Sequence, residues 1–478
     1  MSDLLLTRLA ELERAAAPLE PAAEERQSVA TRALGDALNY WAGVEEAPAS
    51  VPAEKVFERR FEPEFTETGR AADEVLDYVR DCIAAPGFTT ASPRFMAYVP
   101  GGGLPWAAVG DLLAAASNKY SGFASAGPGA VRVENACVRW VAEVVGLPDG
   151  AGGTLTSGGS LANLTAIVAA REARDPNGGG AVYHSRFVHH CVDKALRIAD
   201  RHRSPRRLVA TDAEHRLSVA ALRDMVEQDL ADGIRPWLVV ASAGTVDTGA
   251  IDPLDAIADL CAEHGIWLHV DGAYGGLFAL SETGRGRLTG IDRADSLALD
   301  PHKTMFLPYG TGAVLVRDER HLLAAFSQQA DYLVPVEESA VGHSPADLSG
   351  ELTRHFRALR LWLPLQLAGV GAFRAAQEEK LLLAAYFHRR LAAIDGFEPG
   401  PEPQLSTVAF RLSAGDAASE RLLGALQQGG RVMLSGTRVD GRFTIRCCIL
   451  SFRTHRRHVD ELLALLSVVD PQTGEMRH

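Results

Sequence analysis

Three segments of the 478-residue chain carry side chains able to act together on one small molecule. Asp295-Ser296-Leu297-Ala298-Leu299-Asp300-Pro301-His302-Lys303 is a short apolar run that ends in a proline turn and a lysine. A lysine poised there can form a Schiff base with an aldehyde when its pKa is lowered. Ile266-Trp267-Leu268-His269-Val270-Asp271-Gly272-Ala273-Tyr274-Gly275-Gly276 reads as a buried strand that ends in Asp271 and turns through small residues. A carboxylate at the carboxyl end of such a strand can hold a protonated ring nitrogen, and Ala273 is small enough to let a flat ring lie against the backbone. Thr156-Ser157-Gly158-Gly159-Ser160 leads into a helical run. Its glycines leave N–H groups accessible at a helix start, where the partial positive charge suits a phosphate.

Each segment alone has a plainer explanation. Lys303 could be a solvated loop charge, Asp271 a turn cap, and Ser160 an ordinary helix N-cap. The HxD spacing of His269 and Asp271 is also used by metal sites, but no third ligand stands at motif spacing, so no metal is expected. No GKS or GKT follows the glycines, so the turn is not a nucleotide P-loop. In one domain, however, phosphate-loop glycines, a strand-end Asp and a strand-end Lys are the parts that pyridoxal 5′-phosphate requires.

These segments must be positioned by an α/β layer. From about residue 104 to 320, short apolar runs alternate with amphipathic helices. Candidate strands are Gly153–Thr156, Ala181–His184, Arg207–Thr211, Trp237–Ser242, Ile266–Asp271, Ser296–Leu299 and Gly312–Val316. Such alternation predicts a mostly parallel sheet. One intervening helix has Leu254, Ile257, Ala258 and Cys261 on one face, with Asp252 as its expected cap and Pro253 in its first turn. Residues 1–103 read as a helical arm with little core of its own, marked by the stripe Leu5, Leu9 and Leu12. Residues 104–350 form the large α/β domain and end in an aperiodic stretch, 325–350, of a length usually functional or disordered. Residues 351–478 read as a small α+β domain with one long helix from Leu352 to about Ala393.

Taken in order, the motifs closely resemble those of the group II pyridoxal-phosphate-dependent decarboxylases, the family of aromatic-L-amino-acid, histidine and glutamate decarboxylases. They are Arg94-Phe95-Met96-Ala97-Tyr98-Val99-Pro100, the Thr-Ser-Gly-Gly-Ser run with Ala162-Asn163, Gly244-Thr245 with Gly249-Ala250-Ile251-Asp252, and then His269–Tyr274 and Asp300–Lys303. Phe356-Arg357-Ala358-Leu359-Arg360-Leu361-Trp362, Arg446 and Arg453-Thr454 complete the set. The resemblance implies a fold-type-I, aspartate-aminotransferase-like large domain with a mostly parallel seven-stranded sheet. It also implies a homodimer with shared active sites. Lys303 would carry the cofactor as an aldimine, Asp271 would pair with the pyridine nitrogen, and His189 would stack on the ring opposite Ala273. Gly159, Ser160, Asp300 and His302 would approach the phosphate, with Thr245 beside the cofactor. Tyr332, in Ala330-Asp331-Tyr332-Leu333, matches a mobile-loop tyrosine held to protonate Cα. Tyr98, Val99, Pro100 and, from a neighbouring subunit, Phe123 match substrate-pocket positions, and the aromatic pair suits an aromatic L-amino acid. The implied reaction is decarboxylation to the amine and carbon dioxide. The alternatives are oxidative deamination to an aldehyde and a silent cofactor-binding protein. Thr304, Leu161 and Gly101-Gly102-Gly103 depart from the family pattern and leave the substrate open.

Composition bounds the partners. The net charge is −13, from 48 basic and 61 acidic residues, which argues against nucleic acid and against a polybasic membrane anchor. The chain has no apolar run long enough to span a bilayer. Six cysteines without CxxC or framework spacing read as reduced thiols of a cytoplasmic protein. None of them falls where the resemblance places the cofactor.

Overall fold

Buried parallel strands read as unbroken apolar runs, because helices cover both faces of the sheet. The seven runs expected from the sequence are seven strands of one sheet in the computed structural model, which describes residues 2–52, 65–327 and 342–476. They are β1 (Gly152–Thr156), β2 (Ala181–Ser185), β3 (Arg206–Val209), β4 (Pro236–Ser242), β5 (Trp267–Gly272), β6 (Ser296–Leu299) and β7 (Gly312–Val316). Their spatial order is β1-β7-β6-β5-β4-β2-β3. Only β7 runs against the others. The fold is therefore α/β with a mostly parallel seven-stranded sheet. Every residue of β1, β2 and β4–β7 is buried, whereas β3 lies at an edge and is partly open.

Helices α1 (Pro128–Val145), α2 (Gly159–Arg174), α3 (Cys191–Ile198), α4 (Leu254–His264) and the one-turn α5 (Pro301–Thr304) bear on the site. Ala162 and Ala166 of α2 meet Ala298 of β6 and Val314 of β7. Side chains this small let the helix approach the sheet closely, which sets its first turn over the strand ends. The start of α4 departs from expectation. Its N-cap is Pro253 and makes no side-chain bond. Asp252 instead turns into the core and accepts from the Leu217 and Ser242 N–H groups at 2.7 Å each. Two buried amides from distant loops need an acceptor more than a helix start that water can reach.

Residues 1–89 and 90–478 form two compact units. In the first, helices Ser2–Ala16 and Ala23–Gly43 keep Leu5, Leu9 and Leu12 exposed, and Arg32 pairs with Asp36, Asp73 and Asp77. The second holds the large sheet and a four-stranded antiparallel sheet. That sheet has β8 (Phe397–Pro399), β9 (Thr407–Leu412), β10 (Ser435–Val439) and β11 (Arg442–Cys448) in the order β8-β9-β11-β10. The long C-terminal helix expected from Leu352 to about Ala393 is two helices, Ala358–Ala368 and Val370–Leu391. Gly369 separates them at φ 75°, a left-handed conformation that other residues resist.

One buried ion pair fixes β1. Arg354, 0 % exposed, donates to Glu134 of α1 and to Thr154 and the Leu155 carbonyl of β1, each at 2.7 Å. Arg354→Met should cost about 3–5 kcal/mol, because it strands a buried carboxylate. Urea denaturation of the purified protein checks this; a loss under about 1 kcal/mol would contradict it.

Candidate active site

The carboxyl ends of β1, β2, β4, β5 and β6 converge on one cavity of about 320 Å³. It is where an open α/β sheet places its ligands. Of the residues singled out from the sequence, Lys303, Asp271, His189, Gly159, Ser160, Thr245, Ala273, Asp300, His302 and Val99 line it. Tyr98, Pro100 and Phe123 do not. Tyr98 is half exposed in a left-handed turn, and Phe123 stacks on Tyr120 with ring centroids 6.1 Å apart. Tyr332 lies outside the described residues.

Lys303 sits in α5, and its Nζ is 2.8 Å from Oδ2 of the buried Asp300. Burial opposes the ammonium charge, but Asp300, and then Asp271, outweigh it and raise the pKa. Oδ1 of Asp300 is buried with no hydrogen-bond partner among the described residues. Asp271 ends β5 and accepts from the Ala273 N–H at 3.1 Å. Its pKa is raised by burial, with Lys303 the strongest opposing influence.

His189 follows β2. Its Nδ1 accepts from the Cys191 N–H at 3.2 Å, so the neutral ring carries its proton on Nε2. Burial, helped by His190 and Lys303, lowers its pKa to about 4. The ring is thus uncharged at neutral pH. His302 is fixed in the other tautomer, since Nδ1 must donate to the Thr311 carbonyl at 2.7 Å.

The phosphate-type cradle is built at the start of α2. Leu161 and Ala162 N–H both return to the Gly158 carbonyl at 3.0 Å, so the N–H groups of Gly159 and Ser160 are not used there. A Cβ on Gly159 would lie 2.9 Å from Ala273 Cβ and 2.9 Å from Asp300 Oδ2, which would fill the cradle. A Cβ on Gly312 would strike the Gly158 backbone at 2.6 Å. Free N–H donors, a floor that only glycine leaves open, a buried carboxylate and an amine in one cavity fit pyridoxal phosphate.

Sequence reasoning missed several lining residues, among them Cys191, Phe187, Asn163 and Val246. Cys191 corrects the expectation that all six cysteines stand clear of the cofactor position. It opens α3, two residues beyond His189, and that offset was the available signal. Burial, with Asp271 nearby, pushes its thiol up to about 12, so it is an inert neutral group. Phe187 and Val246 carry no motif and could be placed only by the fold.

Comparison with known proteins agrees with this chemistry. The family described as "Pyridoxal-dependent decarboxylase conserved domain" matches residues 55–413. An aromatic-L-amino-acid decarboxylase of Bacillus atrophaeus is 34% identical over 470 residues, covering 96% of this chain and 97% of its own. A phenylacetaldehyde synthase of Arabidopsis thaliana is 29% identical, covering 84% of this chain and 85% of its own. The crystal structure of Oryza sativa TDC with PLP and tryptamine superposes with a TM-score of 0.87 at 26% identity, covering 94% of this chain and 98% of that one. With Lys303, Asp271 and the glycine cradle converging at the strand ends, the chain belongs to the pyridoxal-dependent decarboxylase family and is a pyridoxal-phosphate-dependent carboxy-lyase.

Proposed function

We propose that the protein decarboxylates an aromatic L-amino acid to its amine. The observation that carries this reading is the single cavity that joins Lys303, Asp271 and His189 to the Gly159–Ser160 turn. Kinship with an aromatic-L-amino-acid decarboxylase over nearly the whole chain supports the substrate class.

Bound pyridoxal phosphate supplies an electron sink for the pair released when the Cα–carboxylate bond breaks. The chain's own residues prepare for that event. Lys303 supplies the amine that anchors the cofactor and yields to the substrate amine. Asp271 gives its charge to the ring nitrogen and keeps a proton there. Neutral His189 and small Ala273 would hold the cofactor ring between them and restrain it without adding charge. Gly159 and Ser160 donate to the phosphate, and Thr245 stands beside the ring, its hydroxyl 3.0 Å from that of Thr248. Val99, Phe187 and Val246 give the cavity apolar surface for an aromatic side chain. Tyr332 would serve as the proton donor to Cα, as the resemblance implies.

Two copies would complete the site, with Tyr98, Pro100 and the partner's Phe123 supplying the substrate wall. The exposed stripe Leu5, Leu9 and Leu12 supports association, since apolar helix faces of this kind mark contact surfaces. The six free cysteines support a reducing, cytoplasmic setting. Among the described residues no helix is long and apolar enough to cross a membrane.

The test is to incubate the cofactor-loaded enzyme with the twenty amino acids and dihydroxyphenylalanine and to follow carbon dioxide. Release confined to aromatic substrates, with amine as product, is expected. Release from none would return the reading to a silent cofactor-binding protein. The phenylacetaldehyde synthase among the relatives makes aldehyde formation the second reading. Tyr332→Phe is expected to reduce amine and raise aldehyde, peroxide and oxygen consumption. Unchanged amine yield would remove Tyr332 from the mechanism.

A further inference from the structure

Behind Asp271 a row of polar side chains runs through the otherwise apolar interface between α2 and the sheet. Trp267, His269 and Asp271 alternate along β5 and so point to the same face. Ser296 on β6 stands opposite His269 in the parallel register. Asn163 reaches down from α2. His269, Asn163 and Ser296 are 0 %, 0 % and 1 % exposed.

Chemistry fixes every proton in this row. The Trp267 indole N–H can only donate, and it does so to Ser296 Oγ at 2.8 Å. At the far end of the row the Gly159 carbonyl can only accept, so Asn163 Nδ2 faces it and Oδ1 faces His269 Nε2. That leaves neutral Nδ1 to accept from the Ser296 hydroxyl at 2.9 Å. A neutral imidazole that accepts at Nδ1 carries its hydrogen on Nε2, which donates to Asn163 Oδ1 at 2.7 Å. Asn163 Nδ2 donates to the Gly159 carbonyl at 2.8 Å and to Cys191 Sγ at 3.5 Å, and Asn163 lies close enough to Asp271 to favour its ionised carboxylate. The row thus ends on both the carboxylate assigned to the ring nitrogen and the glycine assigned to the phosphate.

We infer that Trp267, Ser296, His269 and Asn163 form a hydrogen-bond relay that holds Asp271 and the Gly159 turn in register for the cofactor. The inference rests on the proposed pyridoxal-phosphate site and deepens it. Trp267, Ser296 and His269 are positioning residues that reach the cofactor only through Asn163, Asp271 and Gly159, whereas Asn163 also lines the cavity. The direction of the relay is set by the Gly159 carbonyl, which cannot donate, and by burial, which pushes His269 down to about 4 and keeps it neutral. A row built only to satisfy buried polar groups would stabilise the fold without discriminating between cofactor-bound and cofactor-free protein.

Apo-protein of wild type, His269→Leu and His269→Gln, titrated with pyridoxal phosphate by equilibrium dialysis, separates these cases. His269→Leu should weaken cofactor affinity about tenfold or more, the usual effect of losing an outer hydrogen-bond partner. His269→Gln keeps an N–H donor for Asn163 and should recover affinity to within about threefold of wild type. Equal losses in both variants, or no loss in either, would overturn the relay. Should His269→Leu fail to fold, Ser296→Ala decides. It removes the hydroxyl that both His269 Nδ1 and the Trp267 N–H face and is expected to shift the pH dependence of the bound cofactor's absorbance. An unshifted profile would overturn the relay. Wild-type protein that binds no cofactor would refute the site itself, whereas normal wild-type binding with unaffected variants refutes only the relay.

Discussion

Replacing Lys303 by alanine is expected to abolish borohydride-stable attachment of pyridoxal phosphate and to lower turnover by on the order of 10⁴-fold or more. The cavity offers no second amine: among its described lining residues Lys303 is the sole lysine. Alanine also leaves the buried Asp300 carboxylate without its 2.8 Å partner, so part of any loss could come from disturbed charge. Lys303→Arg separates the two effects. Arginine keeps a cation for Asp300, but its guanidinium stays protonated and does not attack an aldehyde. Both variants should therefore lack the attached mass after reduction, while the arginine variant retains more of the apo stability. Attachment that persists in Lys303→Ala would place the anchor elsewhere. Mass spectrometry of the reduced protein reads this directly, independent of any substrate.

Replacing Asp271 by asparagine should lower the turnover number by on the order of 10²–10³-fold, the scale of removing a paired charge that shifts a ring-nitrogen pKa by two to three units. Asparagine can still accept from the Ala273 N–H, so the strand end keeps its geometry. The effect on apo-protein stability has the opposite sign. Burial raises the folded pKa of Asp271 above its unfolded value. The folded state therefore holds the proton more tightly than the unfolded state. The associated stability is present below the unfolded pKa, near 3.8, and is lost as pH rises through the raised folded value. As pH rises above the unfolded pKa the buried carboxylate costs the fold stability, and asparagine removes that cost. The variant should lose catalysis while its apo-protein melts at or above the wild-type temperature. A lower melting temperature would show that Asp271 holds the strand end by its charge, contrary to this account.

The seven strands of the large sheet were legible because both of its faces are covered, so each strand is a short apolar run bounded by turn residues. The small sheet was only half legible. Thr407–Leu412 reads as a strand at once, and the run Phe443–Ile449 reads as one that falls a residue beyond the strand Arg442–Cys448 at each end. Phe397–Pro399 has three residues and a proline, and Ser435–Val439 has a glycine and alternating exposure. Their assignment depends on register with β9 and β11, which local sequence does not carry. Gly369 could have signalled the break between the two C-terminal helices, but the apolar period on either side masked it.

The site divides in a similar way. Lys303, Asp271 and the glycine turn stand at strand ends within recognisable local patterns. Asp252 misled because its local setting is that of a helix cap, whereas the amides of Leu217 and Ser242 claim it from 35 and 10 residues away. The bond from His269 to Asn163 joins residues 106 positions apart. No spacing within either motif reveals it; only the packing of α2 on β5 does.

The position of β1 bears on how the protein is made. This strand feeds the Gly158–Gly159 turn, yet among the described residues its sole neighbour in the sheet is β7, paired from Gly152↔Val316 to Thr156↔Gly312. During synthesis the turn emerges well before the strand that secures it. The nascent chain must close a long loop before the turn has its final support, a step that is slow for contacts so distant in sequence. A chain halted before Gly312 would contain Gly158 and Gly159 without the strand that pairs with β1. Retention of cofactor thus reports that the sheet has closed, and a cofactor supply in excess of the dissociation constant draws the completed chains toward the folded state.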